Sequence, residues 1–223
     1  MLSKISSIIF YPFARPIRYG ALKIMKRLRQ PDDKRPSIAA ADHILDEFIL
    51  PSVFHTFKET QFRELANFSK LPVAEHDRIF NELEVAGIYL GIFYIETAKS
   101  LGNDFHFWRD VEEALPKQLQ RKLMGFGVDG GNAKLMRELI EMRRKEYEEL
   151  AEHVWSGSNQ AQTEFKQMPP EMKRLASLLQ ATAIGTADHI RRGKLKEKDP
   201  LIRYINGWLL MLQRKIGKFV KKL

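Results

Sequence analysis

The stretch PVAEHDRIFNELEVAGIYLGIFYIETAKS, residues 72–100, decides the fold. Pro72 sits where a helix can begin, because its missing N–H is one that a first turn leaves unpaired anyway. Residues 85–95 carry no charge, and only Gly87, Tyr89, Gly91 and Tyr94 dilute their apolar character. A helix that is apolar all round belongs in a core, and this run is shorter than the roughly 18 residues a membrane crossing needs. Residues 74–100 are therefore expected to form the central helix of a bundle. Along it Glu75, Glu82, Tyr89 and Glu96 recur every seven residues. Such a stripe is either the solvated edge of a buried helix or the polar lining of a cavity. Glu82 and Glu96 stand about 21 Å apart along one helix, too far to share a bond as acid and base.

Working outward, the same helical periodicity continues on both sides. Ser37 stands where an N-cap would, ahead of a helix over 38–50; Pro51 interrupts, and a further helix is expected over 52–68. After a turn at 101–104 come a helix over 107–124, with Pro116 as a kink or restart, and a loop at 125–131. A charged helix over 132–155 follows, broken by Ser156-Gly157-Ser158. Pro169-Pro170 open a helix to about Arg192, Gly193 ends it, and Pro200 opens the last one, to Leu223. No segment of alternating β-branched residues competes, so the fold class is all-α, a multi-helix bundle with basic amphipathic N- and C-terminal helices.

The charge is segregated. The net charge is +9, but residues 1–36 carry nine Lys/Arg against Asp32 and Asp33, and residues 191–223 carry eleven against Glu197 and Asp199. The body between is left acidic. This divides the chain into a basic amphipathic segment 1–36, a helical body 37–192, and a linker with a basic amphipathic helix over 193–223. An acidic body with basic ends points to termini that meet an anionic surface. Cysteine is absent, which excludes disulfides, thiolate metal sites and cysteine nucleophiles.

At the N-terminus, helical spacing over 3–10 and 17–28 is separated by Pro12 and Pro16, with Arg18, Lys26 and Arg27 largely off the apolar stripe. The composition suits an organellar transit peptide as well as an interfacial anchor. In the last helix, Trp208, Leu212, Ile216 and Phe219 fall on one broad apolar face at 100° per residue. Arg214, Lys218 and Lys221 lie opposite, Lys215 and Lys222 flank it, and Leu210 and Met211 are large apolar residues out of place. An apolar face of Leu, Ile, Trp and Phe with a Lys/Arg counter-face is the composition of a helix lying in a bilayer interface. The same face could instead dock onto the protein's own body. Nucleic acid fits less well, because the basic residues alternate with large aliphatics that phosphate contacts do not require.

Three patterns bear on chemistry. Gly125-Phe126-Gly127-Val128-Asp129-Gly130 is a formal GxGxxG, but the dinucleotide motif needs a preceding strand and residues 118–124 read as helix. A helix end and a tight turn explain it, with an anion site near Lys134 as the looser version. Four histidines follow an acid, at 42–43, 75–76, 152–153 and 188–189. Adjacent residues point about 100° apart, whereas di-metal bundles use Glu-x-x-His, which is not present here. Glu149 with His153, at i and i+4, is the best-spaced metal pair. The aromatic cluster Phe105, His106, Phe107 and Trp108 reads as a core plug.

The sequence thus leads to a peripheral, cytoplasmic, membrane-associated protein, without a catalytic motif or a cofactor, in an interaction or scaffold role. The membrane contacts are expected at Trp208, Leu212, Ile216, Phe219, Arg214, Lys215, Lys218, Lys221 and Lys222, with Arg18, Lys26 and Arg27 as a second anchor. Two alternatives follow from the same residues. One is a helical-bundle enzyme or carrier with a di-metal centre or apolar cavity. The other is a subunit of a larger protein or ribonucleoprotein assembly, with an organellar interior as the alternative compartment and an oligomer as an open possibility.

Overall fold

A computed structural model describes residues 35–100, 104–161, 169–196 and 198–222. These residues form an all-α bundle, and no strand occurs among them. The elements are α1 (Pro36–His43), a π-helical segment (Ile44–Ile49), α2 (Leu50–Lys58), α3 (Thr60–Leu65) and a 3-10 turn (Phe68–Lys70). They continue with α4 (Val73–Ser100), α5 (Phe105–Gly125), α6 (Gly130–Ala161), α7 (Pro170–Arg191) and α8 (Pro200–Val220). Arg18, Lys26 and Arg27 of the expected second anchor lie outside the described residues. Among the described residues no helix is long and apolar enough to cross a membrane.

α4 is the central helix. It packs against α2, the π segment, α5, α6, α7 and α8, and its apolar residues from Ile79 to Ala98 lie in the core. Gly87 and Gly91 allow close approaches to it. A Cβ on Gly87 would stand 2.9 Å from Ile49 Cγ2, and one on Gly91 would stand 3.1 Å from Leu115 and 3.3 Å from Ile49. The two glycines let the π segment and α5 close onto α4.

Several expected breaks are absent. The helix begins at Pro36, with Arg35 before it, and Ser37 is buried inside the first turn rather than capping it. The chain also runs through Pro51 without interruption. A proline ring collides with the carbonyl four residues back. Here the turn just before it is widened, so that the Leu50 N–H bonds to the Leu45 carbonyl, five residues back. Pro116 lies buried within an unbroken α5. α6 continues past Ser156, whose hydroxyl bonds the Glu152 carbonyl one turn back, and runs at least to Ala161. Conversely, the expected helix over 52–68 is split at Glu59, which is extended, and again at Asn67, whose φ is 59°.

The glutamate stripe of α4 is neither a solvated edge nor the wall of a cavity. Glu75 pairs with Arg78 at 3.0 Å and with Arg192. Glu82 receives two bonds from Arg143, at 2.9 and 3.1 Å. The Tyr89 ring lies 5.2 Å from that of Tyr147, and Glu96 pairs with Arg144. Arg143 also bonds Glu146, which lies 2.8 Å from His189. Burial tends to raise the Glu146 carboxyl, but His189 and Arg143 outweigh it and hold the group below its ordinary value. The stripe is a charged seam that joins α4 to α6 and α7.

Glu84 lies apart from this seam. It is buried, and its Oε2 has no hydrogen-bond partner among the described residues. Burial pushes its carboxyl up to about 8 from an ordinary value of 4.5. The folded chain therefore keeps this proton while the unfolded chain has released it, so stability falls as pH rises through that window. Glu84→Gln should flatten the fall. Denaturation at about pH 5 and about pH 8 measures it, and a variant with the wild-type slope would assign the effect to another group.

Candidate functional site: the basic outer side of the last helix

α8 begins where Asp199 accepts the Leu201 N–H at 2.9 Å. The same carboxylate takes two bonds from Arg191, at 2.9 and 3.1 Å, which ties the start of α8 to the end of α7. The Asp199 carboxyl is held below its usual range, mainly by Arg191.

The apolar side of α8 faces inward. Leu201, Ile205, Leu209, Leu212 and Ile216 are fully buried and belong to the same core as α4. Trp208 is 3% exposed, and its indole N–H donates to Ser52 Oγ at 2.7 Å. Phe219 is half-buried, with its ring 4.6 Å from that of His43 and 5.5 Å from that of Phe48. The Tyr204 hydroxyl donates to Glu59. This corrects the expectation that Trp208, Leu212, Ile216 and Phe219 form an uncovered membrane face. The bundle itself supplies the apolar partner, through α2, the π segment and α4, so these four side chains are core packing.

The outer side is different in kind. Arg203, Arg214, Lys215, Lys218, Lys221 and Lys222 are exposed, and residues 200–222 contain no acid. None of the six pairs with a carboxylate among the described residues, whereas Arg78, Lys99, Lys122, Arg143, Arg144, Arg191 and Arg192 all do. At 100° per residue the six share one arc, about 28 Å long from Arg203 to Lys222. Leu210 and Met211 lie on that arc, 39% and 58% exposed. On the docked helix they are the two large apolar groups among the cations.

Along one flank of this arc runs a cleft of about 910 Å³, between α4, the end of α6, the start of α7 and the second half of α8. Its floor includes Phe93, Tyr94 and Leu175, and its rim carries Arg174, Arg214, Lys218 and Lys221. Arg174 lies over the Phe93 ring, 5.5 Å from its centroid.

The other candidate sites disperse. Glu149 and His153 are exposed on α6, and no group of three metal-ligating acids and histidines occurs among the described residues. The four acid–histidine pairs do not converge. His43 packs on Phe219, His76 stacks on Phe68 at 4.4 Å, and His189 faces Glu146. The GxGxxG stretch joins two helices, α5 and α6, and Gly127 turns the chain at φ 90°. Asp129 accepts the Asn132 N–H at 3.0 Å, so a carboxylate already occupies the start of α6 where an anion would sit. Lys134 lies 3.7 Å from Glu138. Of the aromatic cluster, Trp108 is buried but Phe105 is 53% exposed. No protein-family model, curated protein or solved structure matches this chain.

Proposed function

We propose that this chain is a peripheral membrane protein that meets an anionic bilayer surface with the basic outer side of α8. The observation that carries the reading is the acid-free arc of six exposed cations, with Leu210 and Met211 among them. Each Lys or Arg near an anionic leaflet contributes about 1 kcal/mol, and the attraction decays within a Debye length, about 10 Å at 0.1 M salt. Leu210 and Met211 add shallow burial among the headgroups, which a contact with nucleic-acid phosphates would not reward. The helix is already held by the core, so binding does not have to order it first.

Flotation with vesicles of phosphatidylcholine and phosphatidylglycerol tests the reading. The full-length protein should rise with these vesicles at low salt and stay behind with phosphatidylcholine alone. Protein that remains in the soluble fraction at low salt would end the proposal. Lys218→Glu with Lys221→Glu removes at least about 2 kcal/mol of attraction, roughly thirtyfold in partition. Both side chains are exposed and unpaired among the described residues, so the melting temperature should stay put.

A further inference from the structure

The cleft beside α8 combines two properties that ordinary surface depressions lack. Its floor is aromatic and aliphatic, and Met172 at its edge is 54% exposed. Among the described residues its rim carries four cations against the single acid Glu171. The volume falls within the range of about 300–1,000 Å³ typical of ligand sites. Arg214, Lys218 and Lys221 belong both to this rim and to the basic arc, so the cleft opens onto the surface that would face the bilayer. An occupant must therefore be apolar at one end and anionic at the other.

We infer that the cleft takes one acyl chain of an anionic membrane phospholipid, with the phosphate held by Arg214, Lys218 and Lys221. This rests on the proposed membrane contact. Phe93, Tyr94 and Leu175 supply the surface against which a chain is removed from water, at about 25 cal/mol per Å² of apolar area. Arg174, fixed over the face of Phe93, adds a cation at the wall rather than in open solvent. The chain's own basic ends do not suit this rim, because they carry charge of the same sign.

Trp155 lines the cleft and reports on it. The other two tryptophans, Trp108 and Trp208, are 1% and 3% exposed in the core. The full-length protein is mixed with vesicles of equal parts phosphatidylcholine and phosphatidylglycerol, with mid-chain bromines on one lipid or the other as quenchers. Trp155 emission should fall more when the bromines are on phosphatidylglycerol. Met172→Glu, a change at an exposed side chain, should bring the ratio of the two quenching values back to one while flotation persists. Protein that floats without quenching, or with equal quenching by both lipids, overturns the acyl-chain site and leaves the surface contact standing. Protein that does not float overturns both, and flotation alone reports that case.

Discussion

Trp208→Ala should destabilise the protein by about 3–5 kcal/mol, the usual loss for removing a large aromatic from a core. At roughly 2–4 °C per kcal/mol for a chain of this size, the melting temperature falls by on the order of 10 °C. Two losses combine. The indole leaves a void in the core beside α2, and Ser52 loses the N–H that it accepts at 2.7 Å. Vesicle binding by the fraction that stays folded should be unchanged, since the six cations of the outer arc remain in place. Thermal or denaturant unfolding, run beside flotation below the new midpoint, checks both halves. Unchanged melting with lost binding would mean that Trp208 meets lipid, and the docking of α8 would be wrong.

That experiment bears on what was legible in the sequence. The long helices were, because their apolar spacing and their proline and glycine boundaries are local properties. α4, α7 and α8 begin within a residue of the expected prolines. The direction of α8 was not. An amphipathic helix carries the same pattern whether its apolar side meets a bilayer or the protein's own core. What decides is distant in the chain: Ser52 and Phe48, which meet Trp208 and Phe219. Leu210 and Met211 sit off the apolar side in either case, and the docked helix leaves them outside.

The misread breaks have the same origin. Pro51 reads as an interruption, but a widened turn absorbs its ring, and packing of Ile44, Leu45 and Ile49 in the core holds that turn. The seven-residue stripe of α4 was visible, yet its meaning lay in Arg143 and Arg144, 61 and 48 residues beyond the glutamates they pair with. Periodicity shows that polar residues share a face. It does not show whether water, a ligand or another helix satisfies them.

Arg143→Met tests that seam. The Glu82 side chain is 5% exposed and that of Arg143 is 11%, and two parallel hydrogen bonds join them. Removing the guanidinium leaves a carboxylate buried without its partner, which costs about 3–5 kcal/mol. Glu146 loses its bond as well, but it is 41% exposed and water can replace the arginine there. The pair itself is a different matter, because burying two ions nearly cancels their attraction. Arg143→Met combined with Glu82→Leu should therefore recover most of the lost stability, and denaturant unfolding of the two single variants and the double variant measures the coupling. A double variant as unstable as Arg143→Met alone would show that Arg143 acts through its packing between α6 and α4, with Glu82 contributing little.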